Sequence, residues 1–170
     1  MIETERLTIR PFTNDDAEFV LRLLNDPDFI RHIADRGVRT LSQSCDYLAA
    51  GPLASYAKHG FGLWRVARKD DDVPIGMCGL LKRDALEHVD VGYAFLPEHR
   101  GRGFAREAVV ATLAHARDVV RLARVVAIVS PGNAPSIRLL ESLGFGFERM
   151  VRIAPDGEEL KLFGVDLASA

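Results

Sequence analysis

One stretch in the middle of the chain constrains the fold more than any other. It runs Val91-Gly92-Tyr93-Ala94-Phe95-Leu96-Pro97-Glu98-His99-Arg100-Gly101-Arg102-Gly103-Phe104-Ala105-Arg106-Glu107-Ala108. Val91, Tyr93 and Phe95 alternate with Asp90, Gly92 and Ala94, the period of a strand. Pro97 has no amide hydrogen and stops the ladder. Arg100-Gly101-Arg102-Gly103 then supplies two glycines able to take positive φ. From Ala105 on, Ala105, Ala108, Val109, Thr112, Leu113 and Ala116 recur at helical spacing. A strand therefore runs through a basic glycine turn into a helix. The first amides of that helix point out of its N-terminus, beside about half a unit of positive charge. Such a turn suits a phosphate or pyrophosphate. It is not a P-loop, because no Gly-Lys-Ser/Thr follows the glycines. A dinucleotide fingerprint fits poorly, since no βαβ unit carries an acidic residue about twenty positions on. The plain alternative is a strand-to-helix connection with solvated arginines.

The flanks read as follows. Arg6 to Pro11 alternates as a first strand, and Thr13-x-x-Asp16 has the form of a capping box. Ala17, Val20, Leu21 and Leu24 share one face of a helix that Asp26-Pro27 should end. Ser42 can cap a second helical region, which Gly51-Pro52 should break or kink. Phe61–Arg68, Pro74–Lys82 and Glu87–Phe95 read as an antiparallel meander; Lys69 to Asp72 is its solvated tip. Arg124–Val129 is a β-branched run without alternation, as in a strand buried on both faces. Asn133 can cap the next helix, with Pro135 in its first turn, and Gly144 can stop it. Phe145–Ile153 and Leu160–Leu167 are the last strands. The order βααβββαβαββ implies an α/β (α+β) fold: a mixed, mostly antiparallel sheet with helices on both faces, in a single domain spanning residues 1–170.

Composition excludes several classes. The 170 residues are 48% hydrophobic, enough for a real core. Lys plus Arg is 22 and Asp plus Glu is 24, a net charge of −2, so no global field favours nucleic acid or an anionic membrane. Cys45 and Cys78 make no disulfide framework, which points to a reducing cytoplasm. Cys78 sits in an apolar run and reads as core. The histidines show no metal-ligand spacing, so no metal is expected. The N-terminus is not signal-like, and no apolar run nears the roughly 18 residues of a membrane span. The apolar last strand could pair or pack across a homodimer.

Two motifs carry a family resemblance. Arg100-x-x-Gly103-x-Ala105, after Asp90-Val91-Gly92-Tyr93, resembles the Gln/Arg-x-x-Gly-x-Gly/Ala signature and Glu-Ile-Gly-Tyr strand of the GNAT acyltransferase superfamily. Asn133-Ala134-Pro135-Ser136, with Leu139-Leu140-Glu141-Ser142-Leu143-Gly144-Phe145 after it, resembles that superfamily's Asn-x-x-Ser/Ala…Glu-Lys-x-Gly-Phe segment. The opening Glu5-Arg6-Leu7-Thr8-Ile9-Arg10-Pro11 is similar to the branch containing ribosomal-protein N-terminal acetyltransferases. The resemblance implies a GNAT-like fold with a V-shaped splay after the central strand. It also implies acetyl-coenzyme A as co-substrate and a primary amine as acceptor, either a protein N-terminus or a small molecule.

The resemblance places the pyrophosphate on the amides from Gly101 to Arg106, through Arg102, Gly103, Phe104 and Ala105, with Arg100 at the head of the motif. Free edges near Phe95 and Leu96 would pair with the pantetheine amides by strand addition. A backbone N–H among Gly92 to Ala94 would stabilise the oxyanion. Asn133 would bond the pantetheine arm, or serve only as a helix cap. Asp90 stands at the superfamily's glutamate, with Glu87 and His88 nearby; any of these could take the amine proton. Many members place a tyrosine acid where this chain has Leu140, and Ser136 is the replacement, as in the ribosomal-protein branch. The helical region from Phe19 to His59 should wall the acceptor cleft. Its Asp26, Asp28, Asp35, Tyr47 and Tyr56, with Trp64 nearby, would suit a cationic amine, or most of them are ordinary surface and core residues.

Three function classes follow. The first is an acetyl-coenzyme A-dependent N-acetyltransferase. The second is a non-catalytic acyl-coenzyme A sensor, which the missing tyrosine would support. The third is a phosphate-ligand protein unrelated to coenzyme A.

Overall fold

The computed structural model describes residues 1–167, so the last three residues of the expected domain lie outside the described residues. Its strands are β1 (Ile2–Glu3), β2 (Leu7–Pro11), β3 (Leu63–Arg68), β4 (Pro74–Leu81), β5 (Asp90–Phe95), β6 (Arg124–Val129), β7 (Gly146–Val151) and β8 (Leu160–Asp166). They form one sheet in the order β1-β2-β3-β4-β5-β6-β8-β7. Every neighbouring pair is antiparallel except β5 and β6. This is the mixed α/β sheet expected from the alternating and β-branched runs. The pair Ile2–Glu3, too short to show a period, adds an edge strand that sequence reading lacked.

The first helical region is more divided than its sequence suggests. The Thr13–Asp16 box, in which Thr13 N donates to Asp16 Oδ2 at 2.9 Å, opens a 3-10 turn (Asn14–Asp16) that leads into helix α1 (Ala17–Leu24). Asp26-Pro27 does not simply end it. Asp26 caps a further helix, α2 (Pro27–His32), by accepting from Phe29 N, with Pro27 at the first position where no donor is needed. Helix α3 (Leu41–Leu48) and α4 (Ala54–His59) are joined by a π turn, Ala49–Leu53, that accommodates Pro52. The expected break at Gly51-Pro52 is thus a widened turn. Gly60 closes α4 with φ 77°.

Helices α1 to α4 cover one face of the sheet, around Phe12, Leu23, Leu48, Leu63, Met77 and Leu96. Helix α5 (Phe104–His115) and α6 (Ala134–Ser142) cover the other, around Val66, Cys78, Val91, Phe95, Val109 and Leu140. Alternation along β5 therefore sends Val91, Tyr93 and Phe95 toward α5 and α6. It sends Asp90, Gly92 and Ala94 toward α1 to α4.

The feature that shapes the rest is the junction of β5 with β6. The two parallel strands are in register only at Asp90 and Val126, where Val126 N donates to Val89 O at 3.0 Å. Beyond that apex they part. β5 stays fully paired to β4 from Asp90 to Phe95, and β6 to β8 from Arg124 to Val129. The result is a V-shaped gap, open toward the end of β5 where the glycine turn begins.

Candidate active site

The turn that leaves the open end of the gap is built as its glycines require. Gly101 and Gly103 both take positive φ, 76° and 81°, and Gly103 occupies the N-cap position of α5. Glu107 N makes a helical bond to Gly103 O at 3.1 Å, so the amides before it face out of the helix end. A Cβ at Gly103 would stand 3.3 Å from Arg6 Nη2. Arg6 bonds Glu107 Oε1 at 2.7 Å and Arg102 O at 2.9 Å, and lies over the Phe104 ring at 4.4 Å. Arg102 and Arg106 are exposed. The glycine turn, the outward amides and the exposed arginines make a positive N-terminus on a 12-residue helix, where anions are favoured.

Arg100 does something else. Its guanidinium reaches Asp26 Oδ2 at 2.7 Å and Asp28 Oδ2 at 2.6 Å, and its Nε donates to Phe95 O at 3.0 Å. The side chain straps α2 to the end of β5, and Asp28 is held below the usual carboxylate range chiefly by that hydrogen bond. Its charge is committed within the protein and turned from the glycine turn.

The free edge of β5 is set by parity. Leu96 N donates to Ile75 O at 2.9 Å, so Leu96 points its backbone at β4 and has no free amide for a ligand, contrary to expectation. In an antiparallel pair the next residues inward alternate. With Leu96 opposite Ile75, residues Ala94 and Gly92 also face β4, and Phe95, Tyr93 and Val91 face the gap. The Phe95 carbonyl already accepts from Arg100, leaving its amide. Of the three amides expected for an oxyanion, only that of Tyr93 points into the gap.

The Tyr93 phenol crosses to the other strand's side. Its Oη lies 2.5 Å from Ser136 Oγ, in the first turn of α6. Burial pushes the phenol up to about 12, so it keeps its proton at neutral pH. Asn133 Oδ1 caps α6 by accepting from Ser136 N at 3.4 Å, fixing the serine's turn. Leu140 is 1% exposed and belongs to the core between α6 and the sheet.

Asp90 sits at the apex on the α1–α4 side, 1% exposed. Burial raises its pKa to about 6, opposed by the Arg83 guanidinium, whose Nε is 3.1 Å from Oδ1. A carboxyl poised near neutrality on the cleft side of β5 has the chemistry of a base. Glu87 is not brought into this group. It lies in the loop before β5 with its side chain 88% exposed, 3.9 Å from His88 Nε2.

Beside Gly92, on the α1–α4 face, is a cleft of about 260 Å³ lined by Tyr47, Leu63, Leu81 and residues of the π turn and α4. A Cβ at Gly92 would meet Leu81 Cδ1 at 2.9 Å and Leu63 Cδ2 at 3.6 Å, so the bare backbone makes room for these two cleft-lining side chains to pack over β5. The acidic wall expected here is absent. Asp26 and Asp28 pair with Arg100, and Asp35 pairs with Arg39. Tyr56 spends its hydroxyl on Leu63 O and Phe12 N. Trp64 points to the opposite face, 5.2 Å from the His115 ring.

A sequence model of the acetyltransferase (GNAT) domain matches residues 6–146. This chain belongs to the GNAT acetyltransferase family. GNAT relatives include the uncharacterized N-acetyltransferase p20 of Bacillus licheniformis, 31% identical over 150 residues, with 88% of this chain and 84% of the relative covered. The uncharacterized N-acetyltransferase YoaA of Bacillus subtilis is 28% identical over 154 residues, covering 89% and 86%. Among solved GNAT folds, RimL, a ribosomal L7/L12 α-N-protein acetyltransferase in complex with coenzyme A, superposes with a TM-score of 0.81. It shares 12% identity, with 96% and 95% of the two chains covered. At that identity the likeness is one of fold.

Two residues of this GNAT site escape sequence reading. Tyr93 counts there as a motif residue on the strand and as one of three possible oxyanion amides, and its side chain has no role. A phenol on a buried strand face needs a hydrogen-bond partner, and that is the signal that could have singled it out. Arg6 lies far from the glycine turn in sequence and carries no local signal at all.

Proposed function

We propose that the protein transfers an acetyl group from acetyl-coenzyme A directly to a primary amine. The observation that carries this reading is the gap between β5 and β6. It has a free strand edge at Tyr93, the anion turn at its open end, and the Tyr93–Ser136 hydroxyl pair across it. The residues divide the work. The outward amides between Gly101 and Arg106, with Arg102 and Arg106, hold the pyrophosphate. The Tyr93 carbonyl and the Phe95 amide pair with the pantetheine arm, and the Asn133 amide group borders it. The Tyr93 N–H lies where an oxyanion would form.

Proton movements fall to the two sides of β5. On the cleft side, Asp90, ionised above about pH 6, takes the ammonium proton directly or through water. An α-amine, with a pKa near 8, asks less of it than a lysine-like amine near 10.4. On the α6 side, Ser136 donates to the departing sulfur while Tyr93 holds its hydroxyl in line. A thiol pKa near 8.5 demands little of that donor. Leu140 is buried, so the hydroxyls at this end come from Ser136 and Tyr93 instead.

The test is thiol release from acetyl-coenzyme A against free-N-terminus peptides, lysine side chains, polyamines and small amines, with a no-acceptor control. Release above the control with any amine supports transfer. Saturable acetyl-coenzyme A binding with no release for any amine would replace it with the sensor reading.

A further inference from the structure

The cleft beside Gly92 carries a charge opposite to the one its neighbouring sequence suggests. Lys58 and His59 end α4, and Lys82 follows β4; all three line the cleft, and among the described residues no carboxylate does. Lys82 Nζ donates to Arg83 O at 2.9 Å and Leu86 O at 2.7 Å, neutral carbonyls that hold the ammonium at the loop after β4 and leave its charge unpaired by a carboxylate. Lys58 is exposed at the rim. His59 is fixed by stacking on Phe61, with ring centroids 5.4 Å apart. Arg36 and Arg83 add positive potential around Tyr47, opposing the rise that burial gives its phenol pKa. Of the acids in the same helical region, Asp26, Asp28 and Asp35 are each held by an arginine, and Asp46 is exposed outside the cleft lining.

We propose that the acceptor is a small primary amine bearing a carboxylate, of amino-acid size, whose anion meets Lys58 and Lys82 while its nitrogen points to the Leu63 and Leu81 wall packed over Gly92. This rests on the acetyl-transfer reading above and names the acceptor class for it. The cleft, at about 260 Å³, is smaller than the roughly 300 Å³ at which pockets for drug-sized ligands begin. Opposite charges at the rim attract such an acceptor and repel a second ammonium. A polyamine would place its distal cation against Lys58, Lys82 and His59, the reverse of what an acidic wall would do.

The experiment compares three amines on one five-carbon chain: 5-aminopentanoate, pentylamine and 1,5-diaminopentane. A peptide with a free N-terminus and an acidic second residue forms a fourth arm. Thiol release from acetyl-coenzyme A gives kcat/KM for each. The carboxylate acceptor should exceed pentylamine, and pentylamine the diamine, by about fivefold to tenfold per step. Lys58→Glu should collapse or invert that order, and Lys58→Gln should fall between, both melting like the parent. The proposal is overturned if the diamine is used as well as or better than 5-aminopentanoate. It is also overturned if the order is unmoved in Lys58→Glu, or if only the peptide is acetylated. If no amine releases thiol, acetyl transfer itself fails, and calorimetric titration of the same amines into the protein with coenzyme A decides the cleft. Binding of 5-aminopentanoate that Lys58→Glu abolishes supports the anion-reading cleft; equal or absent binding overturns it.

Discussion

Tyr93 Oη and Ser136 Oγ stand 2.5 Å apart across the mouth of the β5–β6 gap, joining the central strand to the first turn of α6. Either oxygen can be the donor. A phenol raised to about 12 keeps its hydrogen and leaves the serine's own hydrogen free to turn toward a sulfur. The pair works as one unit. Tyr93→Phe keeps the ring and should lower kcat about tenfold with little change in KM for acetyl-coenzyme A. Ser136→Ala should lower kcat about 10- to 100-fold. The double variant should be no slower than Ser136→Ala, because each change removes the same function. Multiplicative losses in steady-state kinetics would show that the two hydroxyls act separately.

Gly103 holds φ 81° at the N-cap of α5. Valine there is strained by about 1–2 kcal/mol and puts a side chain over the outward amides. In a chain of this size that should lower Tm by about 2–8 °C. Acetyl-coenzyme A affinity should fall far more, by over tenfold. Isothermal titration beside a melting curve separates the two effects, and unchanged affinity would remove the turn from the binding site.

Arg100 and Arg102 are neighbours in the motif with different work. Arg100→Ala strands the buried Asp26 carboxylate, which still caps α2, and should cost about 1–2 kcal/mol of stability. Arg102→Ala leaves Tm alone and should raise KM for acetyl-coenzyme A about threefold to tenfold, an effect that shrinks at high salt. Melting and kinetics on both variants, at two ionic strengths, check this division.

Asp90 gives a pH signature with a definite sign. Burial lifts its folded pKa to about 6 against an ordinary 3.8, so the folded protein holds this proton more tightly than the unfolded chain. Its contribution to stability is therefore greatest below about pH 4 and is lost as pH rises through 6. Activity has the opposite slope, because the base must be ionised: kcat/KM should rise through about pH 6. Asp90→Asn should remove both the stability slope and the rate limb, lowering kcat about 10²-fold or more. A parental profile in that variant would exclude Asp90 as the base.

Much of the site could be read from local pattern. The strand-turn-helix unit, both positive-φ glycines, the Asn133 cap and the Asp16 box depend on residues a few positions apart, and local propensity dictates them. Register does not show in local pattern. Whether Phe95 or Leu96 offers a free amide depends on Leu96 facing Ile75, a pairing fixed between two strands. Trp64 points away from the cleft for the same reason. The long-range pairings were equally hidden. Arg100 finds Asp26 across 74 positions and Tyr93 finds Ser136 across 43, and nothing near either residue announces its partner. An acidic composition in the first helical region suggested an acidic cleft, but arginines had already claimed those carboxylates.

The lone register pair between β5 and β6 has a mechanical consequence. The sheet is two ladders hinged at one point, and among the described residues no further register pair joins β5 to β6 beyond Asp90 and Val126. The slot's width is governed by how α5 and α6 rest on the two halves. Spreading or narrowing it to admit a cargo of different thickness therefore strains soft side-chain contacts and leaves the stiff backbone ladders intact.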